Sequence, residues 1–101
     1  MLGKLEEEVL LATLQAGQNS LPSEIYIRFG AAASGRKALA FGAVYTTLTR
    51  MVAKGLLTED SRVDDSGRQR RTFTVNAAGR SALHNSIDRL RNLGAFALAG
   101  G

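Results

Sequence analysis

The sequence predicts a mostly α-helical domain carrying one small β-hairpin, and three observations support that expectation. Segments in the first half place apolar residues at helical spacing. Two β-prone runs flank a turn built of Asp, Ser and Gly at residues 64–67. The last segment then returns to apolar spacings of three and four residues.

Global numbers are consistent with a single domain over residues 1–101. A chain of this length buries roughly 65% of its unfolded surface, enough for one modest core. Its 45% hydrophobic and 22% charged residues suit a globular protein without a membrane-spanning run or leader, so a cytoplasmic location and no membrane partner are expected. Zero cysteines exclude disulfides, Cys-ligated zinc and thiol catalysis, and the single histidine, His84, leaves almost nothing from which to build a metal site. No metal or cofactor is expected. Charge is uneven along the chain. Residues 1–34 set Lys4 and Arg28 against Glu6, Glu7, Glu8 and Glu24, a balance of −2, whereas residues 35–71 hold eight cations against four acids, a balance of +4. Such asymmetry favours a polyanionic partner, although a basic protein can also simply be basic.

The first element, residues 3–16, "GKLEEEVLLATLQA", has Leu5, Val9 and Ala12 on one face and Leu10 and Leu14 on its flank, and Gly17 ends it. Its glutamates fall in the first turns, where the helix dipole favours anions, and they read as a solvated helix start. Pro22, Ser23 and Glu24 open a second, shorter helix that carries Ile25, Ile27 or Phe29 inward. "SGRKALA" is then a polar connection in which Arg36 and Lys37 either reach a phosphate or keep the loop solvated.

The third helix begins at Phe41 and is closed by Gly55. At 100° per residue Val44, Leu48, Met51 and Val52 share one side; Gly42, Ala43, Thr46, Thr49, Arg50 and Ala53 share the other, with Tyr45 on the boundary. Such a small, hydroxyl-bearing, acid-free face suits a helix that must enter a nucleic-acid groove. Threonines meet base edges or thymine methyls, Tyr45 and Arg50 hold phosphates, and residues 42, 43 and 53 permit close approach. An ordinary solvated helix with several threonines would look the same in isolation.

The segment after Gly55 adds weight to the groove reading. "LLTEDSRV" and "RQRRTFTV" read as paired strands around "DDSG", with Arg68, Gln69, Arg70 and Arg71 just past the tip and Arg62 on the approaching strand. Guanidinium groups so placed can lie along a phosphate backbone, or they keep a strand edge soluble. Three helices followed by a basic hairpin is the order of a winged helix-turn-helix, with helix three in the major groove and the wing on neighbouring backbone. Residues 76–94 close the chain as a fourth helix capped by Asn76. Its Leu83, Ile87 and Leu90, continued by Leu93 or Gly94, form a narrow seam that either folds back on helix one or pairs with a second subunit. Pairing suits a protein that must set two recognition helices about 34 Å apart. His84 and Asp88, four residues apart, read as a surface pair, and no nucleophile–base pair, phosphate loop or ligand cluster suggests an enzyme.

Three blocks, "LGKLEEEVLLATLQAG", "FGAVYTTLTRMVAKGLLTE" and "SGRQRRTFTVNAAGRSAL", resemble in order and spacing the PadR-like transcriptional regulators, and they cover most of residues 2–83. The resemblance implies a dimeric, usually repressing, bacterial regulator that binds double-stranded promoter DNA. It places Tyr45, Thr46 and Thr47 as recognition-helix contacts and residues 68–71 as wing contacts. The dimer surface is expected from Leu5 and Val9 on helix one, Leu83, Ile87 and Leu90 on the last helix, and Phe96 in a tail over residues 95–101. Two features depart from the family pattern. Pro22, Ser23 and Glu24 stand where members typically carry a Gly-Tyr type opening, and the short C-terminal region is similar to the compact branch. Some compact relatives bind aromatic or drug-like effectors at the dimer interface; here Phe96, Leu5 and Ile87 either line such a space or only pack the dimer. The alternative to a DNA-binding repressor is a winged helix used for protein interaction or small-molecule binding.

Overall fold

The structure, a computed structural model, describes residues 2–32 and 40–99, without the side chains of 31, 32 and 94–99. Its elements are α1 (Lys4–Ala16), α2 (Pro22–Ala32), α3 (Phe41–Ala53), β1 (Leu57–Val63), β2 (Gln69–Val75) and α4 (Ala77–Ala99). This is the winged helix-turn-helix order.

Local chemistry sets the boundaries. Glu6 reaches back to accept the Gly3 N–H at 3.0 Å, half of a capping box at the start of α1, and Gly17, at φ 100°, ends the helix. Pro22 opens α2 where no amide donor is needed, and Glu24 accepts the Leu21 N–H at 2.8 Å. The end of α3 is a Schellman motif. The Leu56 N–H reaches the Met51 carbonyl at 3.0 Å and the Gly55 N–H reaches Val52 at 2.9 Å, with Gly55 at φ 77°.

Helices α1, α2 and α3 each contribute one stripe to the core. Val9, Leu10 and Ala12 come from α1, Ile25 and Phe29 from α2, and Val44, Leu48 and Met51 from α3. Leu57, Phe73 and Val75 close the core from the hairpin. Phe73 is the largest fully buried side chain, so its truncation to Ala would cost about 3–5 kcal/mol.

The hairpin is antiparallel, paired from Leu57 with Val75 out to Val63 with Gln69. Ser20, in the loop between α1 and α2, adds a one-residue third strand. Its N–H and carbonyl bond to Phe73 at 3.0 and 2.9 Å. A single bridging residue has no periodicity, so the sequence pattern carried no sign of it.

Three expectations are corrected. Ile27 points outward and is 69% exposed, whereas Ile25 and Phe29 are buried in the α2 stripe. Glu6 is not solvated: it is buried, with Lys54 Nζ at 2.6 Å from its Oε2. The last helix does not stop at 94. It runs to Ala99 through Gly94, because "AFALA" consists of residues that favour or tolerate helix and one glycine costs only about 1 kcal/mol.

Asn76 caps α4 as expected, with its Oδ1 accepting the Gly79 N–H at 2.9 Å. The same side chain donates to the Gly55 carbonyl at 3.0 Å and so ties the start of α4 to the end of α3. Gly79 is required at this junction. A Cβ there would collide with the Leu56 carbonyl oxygen and the Val75 side chain. Beyond Ser86, α4 leaves the core: Ile87, Leu90 and Leu93 are 41%, 59% and 60% exposed.

Candidate nucleic-acid interface

Burial divides α3 much as its spacing predicts. Val44, Leu48 and Met51 are buried and Val52 is half-buried. Gly42, Thr46, Thr49, Arg50 and Ala53 are exposed, and Ala43 and Tyr45 lie between. The exposed face carries no carboxylate and one cation, Arg50.

Thr47 is a correction. It is 1% exposed, and its Oγ1 donates to the Ala43 carbonyl at 2.8 Å, one turn back. This internal bond satisfies the hydroxyl and lets a polar residue sit on the core side, out of reach of a groove.

The wing is stiffened at its tip by Asp64. Its Oδ1 accepts from the Ser66 N–H at 2.9 Å, the Ser66 hydroxyl at 2.6 Å and the Arg68 N–H at 3.0 Å, while Gly67 takes φ 84°. The Ser66 hydroxyl and then the Arg68 amide hold the Asp64 carboxyl below its usual range. The tip therefore stays ionised and fixed.

The wing cations are unequal. Arg70 pairs loosely with Asp64 at 3.3 Å. Arg62 is turned away from the wing face, since it donates to the Asn19 carbonyl at 3.2 Å and to both oxygens of Glu24 at 3.3 Å, pinning the hairpin to the start of α2. Arg71 is held most tightly. Its Nε and Nη2 bond to the two carboxylate oxygens of Glu59 at 2.8 and 2.7 Å, and its Nη1 reaches the Tyr45 hydroxyl at 2.8 Å and the Thr49 hydroxyl at 3.4 Å. The guanidinium carbon lies 5.3 Å from the ring centroids of both Tyr45 and Phe73. Hydrogen bonding to Arg71 lowers the Glu59 pKa, and the Glu59 carboxylate raises that of Arg71. The Arg68 and Arg50 side chains and Gln69 are exposed, and neither arginine forms an ion pair among the described residues.

An aromatic edge was not anticipated. Phe41, 43% exposed at the start of α3, packs edge-on against Tyr26 at 5.4 Å and tilted against Tyr45 at 6.2 Å. The edge runs from α2 across α3 to Arg71. Its sequence signal is weak, because Tyr26 and Phe41 are far apart in the chain. Arg36 and Lys37 lie outside the described residues.

The expected subunit surface also separates. Val9 is fully buried within the chain, Leu5 packs against the core, and Leu83 is 7% exposed, open only at its flank. Ile87 and Leu90 present an open face, joined by Leu93, and on α1 by Leu11 and Leu14 at 38% and 43% exposure. The Phe96 side chain lies outside those described. A cleft of about 550 Å³ between Leu14 and Ile87 exposes the flank of Leu83. His84 and Asp88 form the expected surface pair at 3.2 Å. No described helix is long and apolar enough to cross a membrane, and no metal-sized cluster of acids and histidine occurs among the described residues.

Residues 10–85 match the model of the "Transcriptional regulator PadR-like family". Over 59 residues the chain is 42% identical to the transcriptional regulator Rv3488 of Mycobacterium tuberculosis; the match takes in 58% of this chain and 54% of that protein, so it spans about half the length of its curated relative. Among solved structures, it is similar to a PadR family transcription regulator from Clostridium difficile (TM-score 0.74, 18% identity, 98% of this chain and 100% of that one). It is also similar to Bacillus subtilis PadR in complex with operator DNA (TM-score 0.69, 17% identity, 82% of this chain and 46% of that one). At these identities the two structures speak for the fold.

Proposed function

The chain belongs to the PadR-like family of transcriptional regulators, and from that premise we propose that it is a cytoplasmic, non-enzymatic bacterial repressor. It binds double-stranded promoter DNA as a homodimer and blocks access to the promoter. The observation that carries this reading is the exposed face of α3. Gly42, Thr46, Thr49 and Ala53 form a small, acid-free surface that admits close approach to base edges, with Arg50 on the same helix and Arg68 and Gln69 exposed on the wing. Phosphate neutralisation supplies affinity, and the threonine face supplies sequence preference.

Dimerisation uses the uncovered stripe of α4, Ile87, Leu90 and Leu93, with Leu11 and Leu14 of α1. The apolar cleft beside Ile87 is the place for a small aromatic effector.

Fluorescence anisotropy on DNA from the protein's own promoter region and on a shuffled duplex tests the reading. Specific binding that stays at least about a hundredfold tighter on promoter DNA as salt rises is the expected result. Thr46→Ala should erode that preference, whereas Arg68→Ala should weaken both duplexes alike. Equal losses from both variants would refute the assigned roles. Sedimentation of Ile87→Glu/Leu90→Glu tests the subunit surface, with a monomer expected.

One observation favours a second reading, a winged helix that serves protein interaction or small-molecule binding. Arg62, Arg70 and Arg71 all spend charge on internal carboxylates, which leaves a less cationic wing than the sequence suggests. Absence of duplex binding at low salt by a folded dimer would select it.

A further inference from the structure

Outside the core, the polar side chains of α3 meet the wing at Arg71, whose guanidinium bonds to both Tyr45 and Thr49. Its Glu59 partner lies across the hairpin on the neighbouring strand and offers both carboxylate oxygens, the bidentate geometry in which a guanidinium–carboxylate pair is strongest. The third edge of the guanidinium is taken by Tyr45 and Thr49, and its carbon lies 5.3 Å from the ring centroids of both Tyr45 and Phe73. A phosphate seeking Arg71 would have to displace a carboxylate already in place, and would meet that carboxylate's charge on approach. Tyr45, in turn, accepts a hydrogen bond from Arg71, so its hydroxyl hydrogen is left to donate elsewhere.

We propose that Glu59 and Arg71 are positioning residues for DNA recognition: Glu59 takes up the Arg71 charge, and Arg71 fixes the Tyr45 hydroxyl as a donor to DNA instead of neutralising a phosphate itself. The inference rests on the proposed DNA-binding function. It assigns a task to an acidic residue of the wing that faces an arginine across the hairpin. Glu59 keeps one arginine from contributing to sequence-independent affinity, so that binding relies more on α3.

The salt dependence of binding tests this, because each phosphate neutralised adds about 0.9 to the slope of log K against log[salt]. Anisotropy is measured on a mixed-sequence duplex between about 50 and 200 mM salt. Glu59→Gln is expected to steepen the slope by about 0.9 and to tighten binding roughly fivefold to tenfold at the low-salt end, as the released Arg71 captures a phosphate. The charge-balanced pair Glu59→Gln/Arg71→Gln should keep the wild-type slope while losing affinity. Tyr45→Phe should weaken the wild type but add little to that double variant, since the hydroxyl is no longer oriented.

An unchanged slope in Glu59→Gln, a slope flattened by about 0.9 in the double variant, or a Tyr45→Phe loss of equal size in both backgrounds would overturn the inference. Arg68→Ala separates the two levels. If it flattens the slope while the Glu59 and Arg71 variants behave as in the overturning cases, the DNA reading stands and this inference fails; wild-type protein that binds no duplex at low salt overturns both.

Discussion

Replacing glycine by alanine inside a helix ordinarily stabilises a protein, so Gly79→Ala is a sharp test of how α4 packs on the rest of the domain. Helix propensity alone predicts a gain of about 1 kcal/mol. Against it stands the collision of the new Cβ with the Leu56 carbonyl oxygen and the Val75 side chain. The carbonyl has little freedom to retreat. It follows the Schellman turn directly, and Asn76, bound to the neighbouring Gly55 carbonyl, holds the same corner. The start of α4 must move instead, which costs about 1–3 kcal/mol for overpacking and about 1 kcal/mol for a strained Asn76 cap. The net expectation is a loss of about 1–3 kcal/mol, a fall in Tm of about 5–20 °C for a domain of this size. Gly30 provides the control. It lies in α2, is exposed, and an added Cβ would meet nothing within 4 Å, so Gly30→Ala should raise stability by about 0.5–1 kcal/mol. Urea denaturation of both variants reads the answer. A Gly79→Ala protein stabilised as much as the control would show that α4 does not seat on the Leu56 carbonyl.

Gly42 on α3 should uncouple stability from binding. An added methyl meets nothing in the free protein, so Gly42→Ala should gain about 0.5–1 kcal/mol on melting, yet weaken promoter binding about tenfold by holding the helix off the groove. The Glu6 carboxyl is held below 4.5 first by its hydrogen bond from Lys54 and then by the Gly3 amide. A lowered folded-state value means stability that is present above 4.5 and lost as pH falls through the folded-state value. The difference in unfolding free energy between wild type and Glu6→Gln, about 1 kcal/mol with Lys54 half-exposed, should therefore be constant near neutrality and shrink below pH 4.5. Thr72 is fully buried, and its hydroxyl has no partner among the described residues. Thr72→Val keeps the branched shape and should raise Tm by about 4–8 °C, measured by calorimetry.

Signals that act within one turn of chain were legible in the sequence. Pro22 opening α2, Gly55 closing α3, the Asp64–Gly67 turn and the Asn76 cap all depend on neighbours a few residues away, and the structure forms each as expected. Signals that depend on a distant partner were not. Glu6 has the look of any acid in a first helical turn until Lys54, 48 residues later, is brought to it. Arg71 shows no partner in the sequence until the fold brings Glu59 and Tyr45 to it. Thr47 failed for another reason: a hydroxyl that bonds to its own helix behaves as a core group, and the pattern of polar residues does not show it. Val9 and Leu83 were correctly read as apolar faces, but periodicity does not say whether the chain itself or a second copy provides the cover.

The bridge between Ser20 and Phe73 has a consequence for how the chain comes together. The hairpin can close locally, in microseconds, because its strands adjoin. Its third strand arrives only when a segment 53 residues upstream has been delivered by the packing of α1 and α2, and that loop closure is repaid only once the core around Phe73 is complete. Helices and wing are thereby joined into one cooperative unit, in which neither half gains its full stability first. The amides of Ser20 and Phe73 should exchange with solvent at the rate set by opening of the whole domain, however mobile the wing tip beyond them is.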